Sequence, residues 1–202
     1  GVKGIFLNDT PVQDAGGNNN FQGYTIVTRD GTQSQSYIPN LPGGESEKNV
    51  GVAVTNGSPI TRSITDTDVD RVRVTISVPS LRIIEDDGDI RGTSVSLSIQ
   101  LQYNSGGFTT VVDDTISGKT SDNYQRDYML TLNGAFPVDV RVVRNTADST
   151  TTRLSNATNW FSYTEIIDEK LRYPNTALAF LKFDARQFSN IPQRKYLVRG
   201  VK

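Results

Sequence analysis

Apolar residues recur at every second position through most of the chain. Val72, Val74, Ile76 and Val78 alternate with Arg71, Arg73, Thr75 and Ser77. Val95, Leu97, Ile99, Leu101 and Tyr103 alternate with Ser94, Ser96, Ser98, Gln100 and Gln102. Val138, Val140 and Val142 alternate with Asp139 and Arg141, and Val50, Val52 and Val54 with small residues. Successive side chains of a strand point to opposite faces, so each segment predicts a half-buried antiparallel strand with one wet face. Turn signals separate them at intervals of roughly 8–12 residues, as in a sandwich or barrel. No window carries a helical period with caps. Residues 160–171 come nearest, with apolar side chains at 160, 163, 167 and 171, but the opening Trp160-Phe161-Ser162-Tyr163-Thr164 favours a strand. The fold class read from this pattern is all-β, an antiparallel sandwich.

The turn chemistry suggests how the strands connect. Asp30-Gly31 predicts a tight hairpin between a strand at 24–29 and a return at 32–38, because both central residues need positive φ. Asn104-Ser105-Gly106-Gly107 closes a second hairpin toward 108–112, and Asn133-Gly134 a third between 124–132 and 136–143. Tyr173-Pro174-Asn175 joins two long apolar runs, 159–168 and 177–183, read as a buried pair at the centre of the sandwich. Pro39-Asn40-Leu41-Pro42-Gly43-Gly44, followed by Glu45-Ser46-Glu47-Lys48-Asn49, reads as a boundary that no ladder crosses.

Composition narrows the chemistry. The formal net charge of −1 over 202 residues leaves no electrostatic footprint for nucleic acid, and no run of apolar residues is long enough for membrane insertion. There is no Cys and no His, which removes thiol nucleophiles, imidazole bases and most transition-metal sites. Catalysis is left with carboxylate, Lys or Tyr chemistry, so no enzyme activity and no cofactor are expected. Asp66, Asp68 and Asp70 alternate like a calcium loop, but Arg71 and Ser77 stand where Gly and Glu are required. Glu85-Asp86-Asp87-Gly88-Asp89 gathers four carboxylates without a ligand spacing and reads as an exposed acidic turn, its affinity for a cation left open. Glu165 and Asp168 are the carboxylates a glycosidase reading would need, yet on a regular strand they point to opposite faces. Trp160, Tyr163 and Tyr173 are the candidate glycan or interface aromatics. The sugar-binding alternative requires at least two of them, or one with Tyr103, exposed on one concave face, whereas their setting on apolar strands favours a core layer.

The wording of several segments resembles a known family. Thr158-Asn159-Trp160-Phe161-Ser162-Tyr163-Thr164-Glu165-Ile166-Ile167-Asp168 and Tyr173-Pro174-Asn175-Thr176-Ala177-Leu178 are similar to the tail tip attachment proteins J, the host specificity proteins of lambda-like siphophages. Leu7-Asn8-Asp9-Thr10-Pro11-Val12, Phe21-Gln22-Gly23-Tyr24-Thr25-Ile26, Arg29-Asp30-Gly31-Thr32, Pro59-Ile60-Thr61-Arg62 and Tyr196-Leu197-Val198-Arg199-Gly200 follow in the family's order. The resemblance implies a phage or prophage virion protein, made in the bacterial cytoplasm and placed at the tail tip. It further implies a homotrimer in the full-length protein, contacts with other tail-tip or baseplate proteins, and no catalytic residues. It also implies an organisation: hub strands at 1–42, an inserted β-sandwich at 43–186, and a returning hub strand at 187–202. The chain begins and ends in mid-pattern, so a piece of a longer protein is expected, monomeric or weakly trimeric by itself.

Overall fold

The computed structural model describes residues 2–184 and 187–200, and no α-helix occurs among them. The first strands are β1 (Val2–Leu7), β2 (Thr10–Pro11), β3 (Tyr24–Asp30), β4 (Pro42–Ala53), β5 (Ile60–Ile64), β6 (Arg71–Val78), β7 (Arg82–Ile84) and β8 (Ile90–Arg91). They are followed by β9 (Thr93–Tyr103), β10 (Thr109–Gly118), β11 (Tyr124–Thr131), β12 (Val138–Arg144), β13 (Leu154–Ser155), β14 (Asn159–Asp168), β15 (Ala177–Phe183) and β16 (Arg194–Val198). The chain divides into two compact units, Gly44–Asp168 and the pair of segments Gly1–Gly43 and Glu169–Lys202. The sequence-based boundary at 186–187 touches a position outside the described residues.

Unit Gly44–Asp168 is a sandwich. One sheet has the order β11-β6-β14-β4 and the other β10-β9-β12-β5. The pairs β11–β6, β6–β14, β10–β9, β9–β12 and β12–β5 all run antiparallel. The alternating valines and leucines meet between the sheets: Val72, Val74, Ile76 and Val78 of β6 lie against Val95, Leu97 and Ile99 of β9 and Val138, Val140 and Val142 of β12, all at 0% exposure. Burial of that kind stabilises by about 1.5–3 kcal/mol per large aliphatic side chain, which is what holds two separate sheets together. The β9–β10 hairpin forms as its turn chemistry predicts. Asn104 and Ser105 both have positive φ, 45° and 59°, and the Gly106 N–H closes on the Tyr103 carbonyl at 2.9 Å.

Five sequence-based expectations are corrected, the fifth in the unit that holds β1 and β16. First, β11 and β12 are not a hairpin; they lie in different sheets, because β9 and β5 occupy both edges of β12 and Asn133-Gly134 carries the chain across. Second, β14 and β15 do not pair. β6 and β4 fill both edges of β14, while β15 pairs with β3 from Ala177↔Asp30 to Phe183↔Tyr24. Third, the polar run after Pro42 continues a ladder after all, as the edge strand β4. An edge tolerates Pro42 at its first position, and Glu45, Glu47 and Lys48 find partners in Arg73, Ser162 and Glu165. Fourth, the outer face of β6 is polar but not wet: Arg71, Thr75 and Ser77 are buried beneath Asp168, Asp127 and Asn123.

The other unit joins the two ends of the chain. β1 pairs antiparallel with β16 and, on its other edge, with β2. Ile5, Leu7 and Val12 form a small core with Phe21, Ile26, Leu181 and Phe188. The expected return strand at 32–38 is absent, and its place beside β3 is taken by β15. Residues 34–37 are instead tied down by side chains. The buried Gln35 accepts the Gly31 N–H at 2.9 Å and donates to the carbonyls of Arg172, Tyr173 and Thr176 at 2.9, 2.6 and 3.0 Å. Arg29 donates to the carbonyls of Ser36 and Tyr37, both at 2.9 Å. These bonds satisfy turn carbonyls that a hairpin would have left to solvent.

Candidate interaction surfaces

The candidate aromatics separate into two environments. Trp160 is 0% exposed and its indole N–H donates to the Ser162 carbonyl at 2.9 Å. Tyr163 is buried 6.0 Å from it, ring to ring. Both reach the same core face although they are three residues apart, because a bulge between Trp160 and Ser162 makes Phe161 the extra residue. That bulge explains the three-residue spacing of Trp160 and Tyr163, whereas Ile167 and Leu171, the other members of the apparent helical period, are exposed. Tyr173 stands in the other unit, 43% exposed at a φ of 45° beside the turn carbonyls held by Gln35. Tyr103 packs against the sandwich core. The aromatic platform required for stacking a sugar thus loses Trp160, its largest member.

Most of the candidate carboxylates have partners. Glu165 accepts from Lys48 at 2.6 Å, and Lys48 also sits 5.7 Å over the Tyr163 ring; the Glu165 bond holds the ammonium above its ordinary range. Asp168 forms a fork with the buried guanidinium of Arg71 and accepts its Nε–H at 2.9 Å. Asp66 caps the Asp68 N–H at 3.0 Å, and Asp70 accepts the Asp168 N–H at 2.9 Å. In the acidic turn, Asp86 pairs with Arg153, and Glu85 lies 3.9 Å from Arg91. Among the described residues no three carboxylates converge on a point that would hold a metal ion.

Two polar clusters escaped the sequence reading. On β10 and β11, Asp114 accepts both the Tyr128 hydroxyl at 2.8 Å and Arg126 Nη1 at 2.7 Å. The Tyr128 hydroxyl, then Arg126, holds the Asp114 carboxyl below the usual carboxylate range, and burial pushes the Tyr128 phenol well up. At the end of β12, Arg144 is 2% exposed. It donates to the Asn156 carbonyl and the Thr158 hydroxyl at 2.7 Å, to Asn156 Oδ1 and the Thr146 carbonyl at 2.9 Å, and pairs with Asp148 at 3.1 Å. Burial lowers its basicity and Asp148 opposes that. Period two already placed residue 144 on the inward face of β12; only its charge concealed it.

What remains open to a partner lies elsewhere. All five residues of β16 are exposed, with Tyr196 at 42%, Leu197 at 57% and Val198 at 64%, and Ile191 before it is 86% exposed. A groove of about 610 Å³ beside β1 is lined by Phe6, Val12, Ile26 and Leu197.

The comparisons with known proteins agree with the resemblance. Residues 44–169 match the model of a domain described as "Tip attachment protein J, FNIII-A domain". Tip attachment protein J of Escherichia phage SECphi4 is 40% identical, covering 98% of this chain and 18% of that protein. The protein of the same name from Escherichia phage SECphi27 is 34% identical over 93% of this chain and 16% of its own length. The chain therefore spans less than a fifth of these relatives. A crystal structure of a Sulfurospirillum deleyianum protein aligns over 63% of this chain and 99% of its own with a TM-score of 0.33 and 12% identity, a likeness that carries no argument.

Proposed function

Because the chain belongs to the tip attachment protein J family and contains that family's FNIII-A domain, we propose that it is a structural segment of a phage tail tip. Its role is positional: a rigid sandwich carried as an insertion by the unit that holds both chain ends, packed against other tail-tip or baseplate proteins and free of catalysis. In this reading the full-length polypeptide is a homotrimer in the virion, made in the host cytoplasm, and supports attachment to the host through its place in the tail.

The observation that carries the reading is the closure at the insertion points. The Glu169 N–H donates to the Leu41 carbonyl at 2.6 Å, so the chain leaves for residues 44–168 and returns at adjoining positions. Glu165 pairs with Lys48 and Asp168 with Arg71, so both carboxylates have structural partners within the sandwich.

Cross-linking mass spectrometry on purified virions tests the assignment. Links from Lys48, Lys119, Lys182 or Lys195 to other tail proteins are the expected result, and a chain missing from the particles contradicts it.

A further inference from the structure

A glycine that follows asparagine or aspartate sets an unhindered amide nitrogen beside a side-chain carbonyl carbon, the arrangement that closes to a succinimide. Four such pairs occur: Asp30-Gly31, Asn56-Gly57, Asp87-Gly88 and Asn133-Gly134. Closure uses the glycine nitrogen as nucleophile and, at asparagine, the side-chain NH2 as leaving group. Three of the pairs have one of these groups tied. The Gly31 N–H donates to Gln35 at 2.9 Å, and the Gly88 N–H to the Glu85 carbonyl at 3.1 Å. Asn56 is exposed, yet its side-chain amide donates to the carbonyls of Arg144 and Asn145 at 3.2 and 3.3 Å.

Asn133-Gly134 differs. Asn133 is exposed between β11 and β12, and among the described residues neither its side-chain amide nor the Gly134 N–H has a hydrogen-bond partner. Glycine is nevertheless required at 134, because a methyl group there would fall onto the Tyr103 ring, so the fold itself retains the reactive pair. We infer that Asn133 is a modification site at which the folded protein deamidates. The Gly134 nitrogen attacks Asn133 Cγ; the N–Cγ bond forms, the Cγ–Nδ2 bond breaks, and ammonia leaves with the proton of the Gly134 amide. Water then opens the imide at either carbonyl, giving aspartate or, with a main chain one atom longer, isoaspartate. Either product adds one negative charge close to Tyr103, whose hydroxyl accepts the Asn133 N–H at 3.3 Å. The inference rests on the hydrogen bonding around 133–134 and is independent of the tail-tip proposal.

The test incubates the folded 202-residue chain in mildly alkaline buffer and follows two tryptic peptides by mass spectrometry, residues 49–62 with Asn56 and residues 127–141 with Asn133. Fragmentation places the change within each peptide. Deamidation at Asn133 is expected to run about tenfold or more faster than at Asn56, the rate equivalent of the two hydrogen bonds that the Asn56 amide must break. In urea the two rates converge, since unfolding removes the difference. Asn133→Gln, at an exposed position, removes the signal from 127–141 and leaves that from 49–62 unchanged, because the longer side chain closes the ring far less readily. No modification at Asn133, equal rates at the two sites in the folded chain, or a lead at Asn133 that persists in urea each overturn the proposal.

Discussion

The hydroxyl of Tyr128 on β11 donates to the carboxylate of Asp114 on β10 at 2.8 Å, tying together the outermost strands of two different sheets. Arg126 adds a second bond to the same oxygen, so one carboxylate closes one side of the sandwich.

That closure has a pH signature. Asp114 is depressed in the folded state, so its contribution is present above about pH 3.9 and is lost as pH falls through its lower native value. Tyr128 is raised, so its contribution is present below about pH 10 and is lost as pH rises beyond that. Tyr128→Phe is expected to cost about 1 kcal/mol near neutrality, a modest figure because Asp114 is partly solvated. The variant also flattens both limbs of the stability curve. Urea unfolding from pH 3 to pH 11 measures both effects, and unchanged limbs in the variant contradict the assignment.

Arg144 holds the segment 145–158 from within. Arg144→Met leaves the Asn156 and Thr146 carbonyls without their donor and is expected to cost about 3–5 kcal/mol. Arg144→Lys recovers only part of this, because the three donors of an ammonium radiate from a single nitrogen, whereas the planar guanidinium serves its acceptors from Nε, Nη1 and Nη2. Hydrogen exchange in 145–158 rises ahead of exchange in β6 and β9 in both variants.

Gly134 lies against the face of Tyr103, where a methyl group would fall onto the ring. Gly134→Ala is expected to destabilise by about 1–3 kcal/mol, the usual cost of overpacking. Tyr103→Ala in the same chain relieves most of that penalty. A double-mutant cycle with no coupling places the strain elsewhere.

The isolated chain is expected to be monomeric or a weak trimer at micromolar concentration, because it spans less than a fifth of its relatives. Light scattering decides this, and a tight trimer refutes it.

The strands themselves were legible from the sequence because β6, β9 and β12 bury one face and solvate or pair the other. Their partners were not. Asp30-Gly31 and Asn133-Gly134 are good hairpin dipeptides, yet β3 chose β15 and β12 chose β9, since pairing is settled by which edges remain free and not by turn chemistry alone. Trp160 and Tyr163 were legible as core, and the bulge at Phe161 that puts both on one face was not. Arg144 was hidden by treating charge as a sign of exposure, and the Asp114–Tyr128 link by its joining two sheets whose proximity no local pattern encodes.

The central claim is that this sandwich is a component of the tail tip. Immunogold electron microscopy of the encoding phage, with antibody fragments raised against residues 44–168, addresses it most directly. The account predicts label confined to the distal end of the tail. Label on the capsid or along the shaft, or particles that bind none under conditions that expose the domain, would contradict it.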